Sequence, residues 1–294
     1  MMLDIRLRHG QAVWLMLLVT LMWSIAGVVT RHLEFARSFE ITFWRSFFTM
    51  LSLAVLLPLF QGAAVWRKFT TRSLSFWVSG VCWCVMFTAF MVALTLSSVA
   101  NVLVTMALGP LMTAIVARIF IGHRLALRTS LAIAAAGGGI AWMYAGQVGG
   151  DQWAGTLVAL CVPLAGAVNW TVTQRAHARG IDVDLIPAVM VGAVLSCLLT
   201  LPLAFPLRAS AHDVGLLAVL GLFQLAIPCV LSVMCARVLK APEVSLLALL
   251  EVIFGIFLTW VGAGEAPEPR VLVGGAVVIG ALVNNELLAW KERA

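Results

Sequence analysis

Charge is scarce in this chain: only 11% of its 294 residues are Asp, Glu, Lys or Arg. A water-facing surface needs more polar cover, which excludes a soluble globular protein. The usual marks of an enzyme are missing too. There is no glycine loop followed by Lys-Ser/Thr, hence no sign of direct ATP use, and Gly-x-Ser-x-Gly is absent. No carboxylate cluster suggests a metal or transferase site, so no cofactor is expected. The six cysteines (Cys82, Cys84, Cys161, Cys197, Cys229, Cys235) are spread through apolar runs, which argues against a disulfide framework or a metal cluster. All five histidines (His9, His32, His123, His177, His212) fall in loops or at helix ends, leaving no imidazole relay across a membrane.

What fills the chain instead is apolar sequence, 62% of it. A membrane span needs roughly 20 apolar residues. Ten such runs fit, near 11–31, 39–60, 74–96, 99–121, 126–146, 153–174, 185–206, 214–237, 242–263 and 270–290. The run after the basic stretch Met1–Gly10 is too long for the core of a signal peptide, so an uncleaved first span is expected. Threading all ten with the N-terminus inside puts fourteen of the nineteen Lys and Arg residues on the cytoplasmic side. Only Arg31, Arg37, Arg208 and Arg270 fall outside, and Arg45 lies within a span. That imbalance predicts a multi-pass protein of a bacterial-type inner membrane with both termini cytoplasmic. The net charge of +6 is then topological: the basic residues form no patch for nucleic acid, and lipid is the expected surrounding partner.

The two halves echo each other. A shift of 142 residues superposes Val102 on Val244, Leu108 on Leu250, Gly122 on Gly264, Arg128 on Arg270, Ala134 on Ala276 and Gly138 on Gly280. Each half holds five runs of similar spacing, and because five is odd the second half enters the membrane from the opposite side. The expected fold is therefore all-α and integral to the membrane, with ten transmembrane helices arranged as two inverted five-helix repeats, residues 1–147 and 148–294. Inverted repeats are an architecture of secondary transporters, whose solute site lies near the midplane.

Several stretches resemble the EamA-type drug/metabolite transporters. Phe39–Phe48 (FEITFWRSFF) is similar to their second-helix signature, and Trp23-Ser24 to the opening of the first helix. Gly109-Pro110 with Gly122-His123 resembles the junction of helices four and five. Leu249-Leu250-Glu251, Gly264-Glu265 and Gly274-Gly275 resemble its counterpart in the second half. The chain departs from that pattern at His123, where the family carries Glu, and at Val252, where it carries Pro. The resemblance implies ten helices and transport of small metabolites, commonly outward.

An ionised group deep in a bilayer costs at least about 2.5–3.5 kcal/mol, so each needs a reason. Arg45 and Glu251 are the two charges well inside the runs. Arg45 suits a substrate carboxylate or phosphate; Glu251 suits a substrate amine or a coupling proton. The alternative is that they pair with each other or with backbone carbonyls. Phe76, Trp83, Phe87 and Phe90 fall at i, i+7, i+11 and i+14, one helical stripe that could stack on a solute or simply pack. Trp23, Asn101, Asn169, Trp170 and Gln224 complete the candidate substrate contacts. Gly255 and Thr259 follow Glu251 on its own face, suiting either a cavity or close packing. The Gly137-Gly138-Gly139 run and Ala276/Gly280 suit helix contacts within the chain, with a homodimer as the alternative. The expected function is a secondary transporter, an exporter by resemblance, of small amphipathic metabolites such as amino acids, using alternating access around a midplane cavity. A multidrug or cation exporter and an integral membrane enzyme acting on lipid-linked substrates are the rival readings.

Overall fold

Helix dominates a computed structural model that describes residues 7–62, 64–68, 73–121, 127–144, 150–178, 185–235, 238–239 and 241–291. Gly122 and His123, with the basic residues Arg6, Arg72, Arg124, Arg179, Arg237, Lys240 and Arg293, lie outside them. In chain order the helices are α1 (His9–Thr30), α2 (Ser38–Gln61), the single turn α3 (Val65–Lys68), α4 (Leu74–Leu96), α5 (Val99–Met106), α6 (Gly109–Ile121), α7 (Leu127–Tyr144) and α8 (Gly150–Ala178). They continue with α9 (Ile186–Ala204), α10 (Ala211–Val219), a π-helical segment (Leu220–Ala226), α11 (Ile227–Cys235), α12 (Ala241–Ala263) and α13 (Pro269–Lys291).

The protein is an all-α, multi-span membrane fold. Among the described residues seven stretches are long and apolar enough to cross a bilayer: His9–Thr30, Ser38–Gln61, Leu74–Leu96, Val99–Val116, Trp153–Val172, Ile186–Ala204 and Ala211–Cys235. The helices at three other expected spans, α7, α12 and α13, carry shorter apolar stretches at 130–139, 247–263 and 269–285. Large apolar side chains cover the outside, among them Leu59, Leu157, Leu198, Leu203, Phe257 and Trp260. Polar ones turn inward: Thr20, Ser24, Arg45, Ser46, Thr49, Ser79 and Ser196 are buried. That inversion of the soluble pattern follows from a hydrocarbon solvent. Trp14, Trp66 and Trp153 are exposed at helix ends, as suits an interfacial belt.

α4 sits between α8 and α9, α1 packs on α12 and α11, α2 on α9 and on the π segment, and α7 on α13. Small residues set these distances. An added Cβ at Gly255 would stand 2.5 Å from Leu103 Cδ1, and one at Gly27 would stand 2.7 Å from Thr259 Oγ1. The Gly255/Thr259 strip is thus a packing surface between α12 and its neighbours. Gly139 packs on the Gly274 carbonyl of α13, whereas Gly137, Gly138 and Gly280 face open space.

The fourth apolar run is broken where Gly109-Pro110 stands, with a turn at Ala107–Leu108 separating α5 from α6. Pro110 has no N–H to return to the Met106 carbonyl, which removes one rung of the α-helical ladder beside Gly109. The chain tightens instead, Leu108 N donating to Thr105 O at 3.2 Å.

Candidate functional site

A cavity of ≈ 230 Å³ lies at the centre of the bundle, between helices of both halves. Eight of the residues singled out from sequence line it: Arg45, Glu251, Trp23, Trp83, Phe87, Phe90, Trp170 and Gln224. Two do not. Asn169 accepts from Ser79 Oγ at 2.7 Å and ties α8 to α4, while Asn101, at the start of α5, lies near Ser97 Oγ at 3.4 Å. Asn169 thus serves a neighbouring helix, a common use of polar side chains in a bilayer, whereas Asn101 makes a local contact and its Oδ1 has no partner. Phe76, first in the aromatic stripe, is buried in packing against Trp77 and the α9–α11 side. Met16, Met86 and Met106 line the cavity as well. Sequence offered no signal for them, since methionine in an apolar helix marks no particular face. Met106, Ala107, Gly109 and Pro110 bring the helix break into the wall.

Arg45 is fully buried. Its Nη1 donates to Gln224 Oε1 at 3.1 Å and its Nη2 to the Phe87 carbonyl at 2.6 Å. The guanidinium carbon lies 6.0 Å from the Phe87 ring centroid and 5.6 Å from that of Phe90. Nε has no hydrogen-bond partner. Among the described residues no carboxylate stands within ion-pairing distance of Arg45, so it does not pair with Glu251. Its partners are an amide, a backbone carbonyl and two ring faces.

Gln224 reaches Arg45 from the π segment. There Gly221 is wedged against α2: an added Cβ would stand 2.6 Å from Phe48 Cβ and 2.9 Å from both the Arg45 carbonyl oxygen and the Thr49 nitrogen. Thr49 Oγ1 lies 2.8 Å from the Arg45 carbonyl and 3.2 Å from the Gly221 carbonyl and can donate to either. Glu251 stands on α12, where Ser24 Oγ of α1 is 3.2 Å from its backbone carbonyl. Cys229 is a further member of the wall.

One end of the bundle is tied by carboxylates that accept from backbone of the other half. Glu40, opening α2, takes the N–H groups of Arg208 and Ala209, each at 2.8 Å. Asp213, in the first turn of α10, takes those of Glu34 (2.8 Å), Phe35 and Ala36 (3.0 Å each), besides Ser210. Glu265 accepts from Arg31 Nε and from Val99 N, while Arg31 also donates to the Leu94 and Ser97 carbonyls. Loops 31–37, 97–98, 205–210 and 264–268 therefore meet at this end. None of them reaches the cavity wall.

A multi-span helical bundle around a central cavity whose described wall holds one cation, one carboxylate and several aromatic rings is a membrane transporter in form. The profile of the EamA-like transporter family matches residues 10–145 and 153–285, and the chain belongs to that family. Membership sets it among transporters, not enzymes, and removes the lipid-linked enzyme reading. A solved structure described as "Crystal structure of protein" has the same fold: 16% identity over 97% of this chain and 99% of that one, with a TM-score of 0.66. No curated protein matches the chain in sequence.

Proposed function

We propose that the protein is a secondary transporter that exports small amphipathic metabolites, amino acids foremost, by alternating access around the central cavity. The observation that carries this reading is the cavity wall itself. It sets Arg45 and Glu251 in one chamber without pairing them and surrounds them with Trp23, Trp83, Phe87, Phe90 and Trp170. An α-amino acid offers the complement: an acidic group for Arg45, an amine for Glu251 and a side chain for the rings. Glu251 is also the group in that wall able to take up and release a coupling proton.

Alternating access needs two halves that can rock. Packing supports ten spans in two inverted repeats, because contacts recur when each first-half span is exchanged for its second-half equivalent. Spans two and seven (α2, α9) pack together, as do five and ten (α7, α13). The contact of spans three and six (α4, α8) is mirrored by that of eight and one (α11, α1). The two stretches matched by the family profile agree with this division. On the positive-inside pattern the carboxylate-tied end faces outward and both termini are cytoplasmic. The cavity then belongs to a state closed on the external side.

The test is flux into proteoliposomes holding the purified protein, with and without a pH gradient, using labelled amino acids, nucleosides and quaternary ammonium dyes. Saturable amino-acid movement supports the reading. Movement of the dyes alone would favour the cation exporter, for which the aromatic wall and Glu251 also speak. Absence of any flux from folded protein would overturn it.

A further inference from the structure

Arg45 is a buried cation whose strongest partner is missing from the protein. A guanidinium taken out of water needs compensation, and a neutral amide supplies a weaker bond than a carboxylate does. Here Gln224 holds Nη1, the Phe87 carbonyl holds Nη2, and Nε is unpartnered. The donor capacity of Arg45 exceeds what its surroundings use.

Gly221 has no space for a side chain, and Thr49 Oγ1 lies within reach of the Gly221 carbonyl, so the π segment and α2 are in close contact beside Gln224. Exchange at the Arg45–Gln224 contact needs only side-chain movement. π segments recur at functional sites because they re-aim one side chain without breaking the helix.

A glutamine also has two faces. Its oxygen accepts from Arg45 here; its NH₂ can donate to an anion once the side chain turns. Glutamate could do the first more strongly but could never do the second. We propose that Gln224 is a stand-in acceptor: it holds Arg45 in the empty cavity, yields Nη1 to a solute carboxylate, and then donates its own amide to that carboxylate. The Phe87 carbonyl keeps Nη2 throughout, so the guanidinium stays in place. The class of ligand is a monoanionic carboxylate. Among the described residues Arg45 is the one cation in the wall and Glu251 shares the chamber, so a phosphate dianion would lack a second positive partner there. Gln224 is then the residue that separates carboxylates from their neutral analogues. This rests on the transporter reading for its biological sense, but binding can be measured without transport.

The test is equilibrium binding to the purified full-length protein, followed by tryptophan fluorescence, since Trp23, Trp83 and Trp170 line the cavity. The probes are L-leucine, L-methionine and L-phenylalanine against their carboxamides, with inorganic phosphate as a further arm. The expected result is saturable binding of at least one acid, its carboxamide at least tenfold weaker, and no response to phosphate. Q224E, which gives Arg45 a permanent internal carboxylate, should lose at least tenfold in affinity for that acid while melting no lower than the wild type. Q224N, which keeps an amide, should retain part of the preference for acid over carboxamide. Equal binding of acid and carboxamide, a phosphate response, unaltered acid binding by Q224E, or no acid binding at all would each overturn the proposal. Loss of flux with intact carboxylate-selective binding would strike the transporter reading and leave this one standing.

Discussion

Arg45 and Glu251 share a cavity without sharing a bond, and that separation makes them informative side chains. Had they paired, removing either would strand the other and the effect would be structural. Arg45→Ala should instead lower uptake of acidic and zwitterionic solutes at least tenfold more than uptake of neutral ones. That follows from losing a charge-assisted hydrogen bond of about 1.5–3 kcal/mol. Parallel competition assays in proteoliposomes would reveal it, and an equal loss for every solute would remove Arg45 as an anchor. Glu251→Gln keeps the size and the polar atoms but cannot carry a proton through the cycle. Flux driven by a pH gradient should vanish while solute exchange at equal pH persists; unchanged pH dependence would exclude the proton role.

At the scale of elements, two departures from regular α-helix bring the site together. The break between α5 and α6 falls at the Gly109-Pro110 pair, whereas Pro58 and Pro163 stand inside unbroken α2 and α8, so a missing N–H alone does not end a helix here. The π segment was not legible. It lies where α2 closes on Gly221, a contact between residues more than 170 positions apart, and just before Pro228, which has no N–H for the Gln224 carbonyl. Gly221→Ala should therefore be costly: its Cβ would meet backbone atoms, which cannot turn aside. A loss of about 1–3 kcal/mol is expected from overpacking, visible as a lowered melting temperature. Gly215→Ala, in open space on α10, is the control and should not lower the melting temperature, since alanine favours a helix over glycine. The aromatic stripe of α4 shows how far periodicity reaches. Trp83, Phe87 and Phe90 line the cavity, but Phe76 on the same face is swallowed by the packing of α9 and α11.

For the whole molecule, the proposed alternating access makes the tied end and the cavity two parts of one cycle. Glu40, Asp213 and Glu265 bind backbone N–H groups of loops from the opposite half, so opening that end requires these contacts to part together. Glu265→Ala and Asp213→Asn should raise modification of Cys229 by a membrane-impermeant maleimide severalfold from that face alone, in a background with the other five cysteines replaced by serine. Labelling compared in right-side-out and inside-out vesicles decides the matter. An increase from both faces, or from neither, would mean that the contacts stabilise the fold without gating the cavity. Asp213→Ala, stripped of an acceptor for four N–H groups, should also cost about 2 kcal/mol of stability, measurable by thermal denaturation.

Membrane embedding, the helical class and the family were written in the chain, because each rests on local quantities: apolar length, the rarity of charge, and short motifs such as FEITFWRSFF. The choice of Arg45 and Glu251 as candidates came from the same source, since a charge in hydrocarbon stands out wherever it folds. What those charges touch could only be set by the assembled bundle. Asn101 and Asn169 looked as suitable as Gln224, yet Asn169 accepts from Ser79 of α4, Asn101 contacts only Ser97 four residues back, and Gln224's partner is Arg45. Met16, Met86 and Met106 carried no mark at all. In a chain made almost wholly of apolar helix, every face is equally fit for lipid or for protein. Which face turns inward is decided by where glycines allow close approach and where buried polar groups find each other, and both are properties of pairs of helices.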